Sequence, residues 1–441
     1  MAASPVARQL LVCLVGGLIS GAVAAGAPSE RLVVITPHTE AIRYEFRRAF
    51  DEWHRRQHGA PALIEWRDLG GTSDALKFVQ SEFARKPEGI GIDCFFGGGL
   101  EPMLLLSDRN LAQPHRPPPA VLNAIPQNLN GMDIYDRSGR WYGVVLSSFG
   151  ILQNTRLQAI ASLPFVTRWE ELAQPRLQGW VGVGDPRNSG TMNVMFEAFL
   201  QARGWEEGWR LLTQIGGNCR KFDRLSSSTA KDVTLGETAY GFAIDFYGLA
   251  QVAAGGVSNL TFLLPRDFAA MNPDGICLLK GAPNPVVAGR FIDFLLSETG
   301  QKIWFLPKGH PEGPQQNSLD RMAVRPDLYQ EFRGVSHIQH SPFDLEQRFL
   351  YDSKLGRDRR DVVAALAGAL LVDTHPELQR AWRAVTRRGL TQASLQDLGS
   401  VPISEDEALR LALGPWKEPA FRNQKKIDWQ RWALEKYRRL R

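Results

Sequence analysis

The sequence predicts an α/β fold in two lobes followed by a mostly helical C-terminal extension, and three observations carry this. The chain has 441 residues, more than one ordinary hydrophobic core accommodates. Strand and helix signals alternate through most of it, the order of a parallel sheet with crossover helices. Beyond about residue 336 the strand signals stop and helical periodicity continues. With 44% hydrophobic and 22% charged residues, the composition is globular and fits neither a disordered chain nor a membrane bundle.

Residues 1–25 begin with a single charge, Arg8, and continue as an apolar, small-residue run ending Ala22-Val23-Ala24-Ala25. That is the make-up of a cleavable secretory signal, so a periplasmic location is expected. Gly16, Gly17, Ser20 and Gly21 leave the run short and weakly apolar for a membrane anchor. Cys13 follows Val12 and sits too early for lipid attachment. Loss of the signal leaves Cys94, Cys219 and Cys277, an odd number that excludes a full disulfide framework and lacks zinc-site spacing.

The first strand is expected over 32–35, ending in Thr36-Pro37-His38-Thr39, with Thr39 placed to cap a helix carrying Ile42, Phe46, Ala49, Phe50 and Trp53. A second strand over 63–66 leads through Gly70-Gly71-Thr72-Ser73 into a helix with Ala75, Leu76 and Val79. A third over 92–96 ends in Gly97-Gly98-Gly99. Residues 113–130 read as loop. Two extended stretches, 141–146 and 150–152, flank Ser147-Ser148 and together are long enough to cross between lobes. A second alternating region follows: a strand over 180–183, helices over 192–202 and 206–215, a Ser-rich turn over 226–229, and a strand over 240–244. Extended segments over 260–264 and 276–279 precede helices over 286–296 and 301–305. In the tail, helices are expected over 361–372, 377–386 and 427–440, the last combining Trp429, Trp432 and Tyr437 with many cations.

Charge is unevenly divided. Residues 336–441 hold 19 Lys and Arg against 14 Asp and Glu, so all of the net +5 lies there and the remainder is neutral. A neutral body argues against nucleic-acid binding. The basic, Trp-containing terminal helix suits an anionic membrane surface or a partner, and equally a helix whose aromatics pack inward while its cations stay solvated.

Three stretches carry a family resemblance. The first runs from Trp169-Glu170-Glu171-Leu172 through Gln178-Gly179-Trp180-Val181 to Asp185-Pro186-Arg187-Asn188-Ser189-Gly190-Thr191. The second is Gly236-Glu237 followed by Gly241-Phe242-Ala243-Ile244-Asp245. The third is Ala282-Pro283-Asn284-Pro285 through Phe291-Ile292-Asp293-Phe294-Leu295-Leu296-Ser297 to Gln301. In order and spacing they resemble the type 2 periplasmic solute-binding proteins of ABC importers, in the branch that includes ferric-iron, sugar-phosphate, thiamine and phosphonate binders. The resemblance spans roughly residues 30 to 310. It implies two α/β lobes joined by two strands, one formed by 31–146 with 264–335 and the other by 147–263, with 336–441 as an added extension. It also implies a ligand in the cleft between lobes, a membrane permease as partner, a monomer, no cofactor and no catalysis.

In an open α/β sheet, ligands bind beyond the carboxyl ends of strands, where helix N-termini favour anions. The candidates there are Thr36 and His38, then Gly71, Thr72 and Ser73, then Gly98. Ser147 and Ser148 at the crossing join them, with Ser189, Gly190 and Thr191, and Ser227 and Ser228. Glycine permits close approach and hydroxyls donate or accept as needed, although a Ser or Thr before a helix also serves simply as a cap. His38 suits an anion or a metal, or a bond to nearby backbone. Asp245 suits a ligand amine or hydroxyl, or a hinge anchor, or a cap on the helix from Phe246. Arg187 and Lys231 lie near these loops, where a solvated surface position is the simpler expectation. His54 and His58, four apart among Arg55, Arg56 and Gln57, read as a solvated face.

Ferric binders of the resembled branch use paired tyrosines, whereas Tyr247 here follows Phe246. Iron would have to be held by His38, Asp245 and Tyr247. The hydroxyl- and glycine-rich loops favour a small organic anion such as a sugar phosphate or phosphonate. Neither an HExxH nor a GxSxG motif is present, so an enzyme on this scaffold lacks a nameable constellation. A sensor domain that reports ligand binding is the other alternative.

Overall fold

The computed structural model describes residues 29–129, 131–338, 341–344 and 349–441, so the expected signal segment with Cys13 lies outside the described residues. Strand β1 (Glu30–Ile35) ends in four buried residues because helices cover both faces of its sheet. Helix α1 (Glu40–His58) presents Ile42, Phe46, Ala49 and Phe50 inward at helical spacing and stops at Gly59, whose φ of 73° suits a left-handed cap. Thr39 occupies the N-cap position, but its hydroxyl makes no capping bond. Strands β2 (Ala62–Arg67) and β3 (Cys94–Phe96) flank β1 in parallel, with α2 (Thr72–Arg85) as the second crossover and α3 (Leu100–Asp108) leaving β3.

The segment around Ser147-Ser148 is one unbroken strand of 13 buried residues, β4 (Tyr142–Asn154), rather than two stretches. β5 (Val181–Gly184), β6 (Cys219–Asp223), β7 (Tyr240–Ile244), β8 (Leu260–Leu263) and β9 (Met271–Leu279) complete the larger strands. Their order is β2-β1-β3-β9-β4-β7-β5-β6, with β8 also on β4. Through Ser148, β4 pairs antiparallel with β9; from Phe149 onward it pairs with β7. One strand therefore belongs to both halves of the fold and changes partners at the two serines. In the second half, α4 (Gly190–Arg203), α5 (Trp205–Asn218), α6 (Ser226–Leu235) and α7 (Asp245–Gly255) follow the strands. The expected Ser-rich turn is thus the first turn of α6. Helices α8 (Pro285–Leu296) and α9 (Glu298–Phe305) return to the first half, burying Phe291, Phe294 and Trp304 there.

The extension contains α10 (Ser353–Ala367), which runs on through a π-helical turn at Gly368–Val372. α11 (His375–Arg387), α12 (Gln392–Gly399), α13 (Glu405–Leu413) and α14 (Pro419–Arg439) follow. It packs on α4 and α5 and shares their core, with Leu366, Leu370, Trp382, Trp429 and Tyr437 all buried. Trp382 lies against Gly217, where any Cβ would come within 2.6 Å of the indole, and its Nε1 donates to Asn218 at 2.7 Å. The aromatics of α14 point inward as the amphipathic reading allows. One cation does too: Lys436 is only 1% exposed and donates to the carbonyls of Leu398 at 2.8 Å and Ser400 at 2.9 Å. Among the described residues no helix is long and apolar enough to cross a membrane.

His54 departs from the solvated face expected for it. It is fully buried, with Nδ1 2.8 Å from the Ala60 carbonyl, because the chain folds back over α1 to start β2. His58 remains exposed. Cys94, Cys219 and Cys277 are buried free thiols.

Candidate functional site

A cavity of about 240 Å³ opens between the two halves of the fold. The N-termini of six helices reach it: α1, α2 and α3 from the first half, α4, α6 and α7 from the second. First-turn N–H groups have no intrahelical acceptor and carry the positive end of the helix dipole, so the convergence favours an anion. Ser189 caps α4 by accepting from Met192 N at 3.3 Å, which leaves its own hydrogen to donate.

His38, Gly71, Thr72, Gly98, Ser147, Ser189, Gly190, Thr191, Ser227 and Tyr247 line this cavity. Five other predicted residues do not, and each has a local reason. Thr36 is fully buried, its hydroxyl accepting the His38 N–H at 3.1 Å, so it shapes the loop. Ser148 alternates with Ser147 along β4 and points to the opposite face. Ser73 and Ser228 each sit one residue further around their helices, and Ser73 faces the neighbouring hollow under the extension instead. Asp245 is consumed by structure: it accepts from Ser148 N at 2.9 Å and Phe246 N at 2.7 Å, tying α7 to the crossing strand. Burial pushes its carboxyl up to about 6, against the pull of Arg321. Asp245 therefore fills the anchor and cap roles.

Arg187 is also committed, gripping Asp185 through Nε and Nη2 and reaching Asp373 of the extension at 2.9 Å. Lys231 is exposed on α6.

The buried centre below the cavity involves residues that the sequence patterns did not single out. Asp274 of β9 accepts from His38 Nε2 at 3.0 Å, Arg321 Nη1 at 2.9 Å and Gly99 N at 2.8 Å. Burial alone would raise its pKa, but Arg321 and His38 hold it well below the usual carboxylate range. Arg321 is 1% exposed, bonds Ser147 Oγ through Nη2, and stacks over Phe246 at 4.2 Å and Trp304 at 5.1 Å. It thus joins the crossing strand, the first-half core and α7. Burial lowers the His38 pKa despite Asp274, so the ring is neutral near pH 7, donating from Nε2 and leaving Nδ1 with no partner among the described residues. Gly97 makes room for this ring: its φ is 100° and a Cβ would meet the imidazole at 2.6 Å. Asn272, also on β9, accepts the Leu100 N–H at 3.4 Å and completes the floor. A more exact start for β9 would have exposed Asn272 and Asp274, since only its last four residues read as extended. Arg321 carries no local signal at all.

Gly98 offers a direct test of this wall. Its φ is 88° and a Cβ would lie 2.5 Å from Thr72 Cγ2. Gly98→Ala should cost about 1–3 kcal/mol in chemical unfolding and displace the N-terminus of α2 from the cavity.

Two α/β halves sharing crossing strands, with facing helix N-termini around a cavity between them, define a two-lobed ligand-binding protein. The chain belongs to the bacterial extracellular solute-binding protein family, whose sequence profile matches residues 92–323. It is of the type 2 periplasmic kind, which implies ABC-type transport and a periplasmic location; members work with membrane permeases, bind small ligands and are typically not enzymes. It is similar to the phosphoglycerate transport regulatory protein PgtC of Salmonella typhimurium, 27% identical over 361 residues, covering 76% of this chain and 80% of that protein. Among solved structures, the periplasmic binding protein AfuA of Actinobacillus pleuropneumoniae, with exogenous fructose-6-phosphate bound, aligns at a TM-score of 0.62 and 18% identity, covering 78% of this chain and 99% of that one. The apo ferric ion-binding protein A of Pasteurella haemolytica aligns at 0.59 and 15% identity, over 77% of this chain and 96% of that one. The two structural likenesses establish the fold, and since both ligand types occur on it, they leave the ligand to the site.

Proposed function

We propose that this chain closes on a small phosphorylated organic anion of the sugar-phosphate, phosphoglycerate or phosphonate type and presents it to an ABC permease. The observation that carries this reading is the convergence of six helix N-termini from both halves on one cavity. In this reading the phosphate lies among the N–H groups of Thr72, Gly190, Thr191 and Ser227 and the hydroxyls of Thr72, Ser189, Thr191 and Ser227, with Ser147 and His38 Nδ1 addressing the remainder. Backbone donors suit a dianion because they neutralise it without a deprotonating partner. Similarity to a phosphoglycerate transport regulatory protein supports the same ligand class. Ferric iron is the less supported reading: Tyr247 stands without a second tyrosine in the cavity lining, and Asp245 is bonded to backbone.

Thermal unfolding with 3-phosphoglycerate, fructose 6-phosphate and ferric citrate tests the choice. A phosphoester at a hundredfold excess over its Kd should stabilise the chain by about 2.7 kcal/mol and emerge unchanged. Tight ferric binding with no response to phosphoesters would overturn the proposal, and turnover of the phosphoester would make the chain an enzyme.

A further inference from the structure

The C-terminal extension reaches the ligand cavity. Helix α10 is seated on the second half through Arg359, which is fully buried and holds Glu197 of α4 with Nε and Nη2. The neighbouring Arg360 belongs to the same helix, and its own carbonyl accepts from Asn193 of α4 at 3.3 Å. Its side chain extends past Gly190, at the N-terminus of α4, and pairs with Glu101 in the first turn of α3. One turn earlier, Arg357 reaches Asp108 at the other end of α3, 3.3 Å away. A helix fixed to one half thus holds the other half by both ends of α3.

Glu101 lines the cavity, and its Oε2 takes the Arg360 guanidinium. Its other oxygen, Oε1, is buried and has no partner among the described residues. An unpaired carboxylate oxygen buried in the wall of a cavity that holds an anion would be repulsive without a counterion. With one, it is an acceptor awaiting a hydrogen. On the carbon skeleton of a phosphorylated sugar or hydroxy acid, a hydroxyl supplies such a hydrogen.

We propose that Glu101 and Arg360 form a cleft-spanning latch that also selects the ligand: Glu101 Oε1 accepts from a hydroxyl of the bound phosphoester while Arg360, delivered by the extension, neutralises Glu101 and ties the lobes shut. This rests on the phosphoester reading above and adds to it the recognition of a hydroxyl. It gives the extension a place in binding that the two lobes alone would not supply. Opening of the cleft must break Glu101–Arg360 and Asp108–Arg357, so the extension opposes release as well.

Calorimetric titration of the full chain with 3-phosphoglycerate and with 3-(phosphonooxy)propionate, the same ester without the 2-hydroxyl, tests it. The wild type should prefer 3-phosphoglycerate by at least about tenfold. Arg360→Gln should weaken 3-phosphoglycerate binding by about tenfold or more because an uncompensated Glu101 charge then stands in the wall of the anion's cavity. Glu101→Gln/Arg360→Gln should recover most of that loss, and Arg360→Lys, which keeps the charge, should lose less. Equal affinity of wild type and Arg360→Gln, or equal affinity of the wild type for the two compounds, would overturn the proposal. If the wild type binds neither compound, phosphoglycerate is excluded as the ligand, and the latch is read from the ligand-free chain by small-angle scattering. Arg360→Gln should then show a larger radius of gyration than wild type, and identical radii would overturn the latch as well.

Discussion

Arg321→Gln should destabilise the chain at pH 7 by about 3–5 kcal/mol, the usual cost of removing one partner from a buried ion pair. The guanidinium bonds Asp274 and Ser147 and stacks on Phe246 and Trp304, so its loss leaves Asp274 buried with only His38 and the Gly99 N–H as partners and removes a tie between the two halves. The pH dependence gives the loss a signature. In the wild type, Asp274 is held below its ordinary range, so its contribution is complete above about pH 4 and is lost only as the pH falls towards its folded value. Without Arg321, burial becomes the stronger influence and the carboxyl moves up, so the folded state takes its proton earlier. The deficit of the variant measured by urea unfolding should therefore narrow between pH 7 and pH 5. A deficit under about 1 kcal/mol, the range of an exposed pair, would mean that Arg321 is not the tie described here.

Deleting residues 420–441 should destabilise the fold on the order of 5 kcal/mol. The segment buries Trp429 and Tyr437 to 3% and 0% exposure, with Leu440 at 8%, and each large apolar side chain contributes about 1.5–3 kcal/mol when fully buried. Trp429 stacks on Trp416 at 5.3 Å, and the Tyr437 hydroxyl donates to the Leu370 carbonyl at 2.8 Å, so the deletion uncovers α10 and its π-helical turn. Lys436 would also vacate the Leu398 and Ser400 carbonyls, leaving two acceptors to find water. Thermal unfolding of the truncated chain is the measurement. An unchanged melting temperature together with lost binding to anionic vesicles would assign the helix to a membrane surface.

Much of the architecture was legible because it is written in local periodicity. The apolar run in β1, the helical spacing of Ile42, Phe46, Ala49 and Phe50, and the glycines after β3 each specify an element within a few residues of chain. The helix N-termini around the cavity were legible for the same reason: hydroxyl and glycine residues after a strand mark where a helix begins. Which of two adjacent residues faces the cavity was not, since Ser147 and Ser148 differ only by the strand's alternation, and a one-residue change of register exchanges them.

What the sequence settled, then, is the set of elements and the general place of the ligand at their ends, because backbone propensity and hydrophobic period act over short spans. Only the tertiary structure decided the electrostatic centre and the role of the tail. Asp274 meets His38 across 236 positions, Arg321 arrives from a segment without any motif, and Arg360 pairs with Glu101 across 259 positions. Such pairs are set by how sheets and helices pack, and charge complementarity between residues so far apart leaves no local pattern. The net +5 of the tail was visible as a sum. Packing alone determines that Arg359 and Lys436 are buried within it while Arg360 is carried to the cleft.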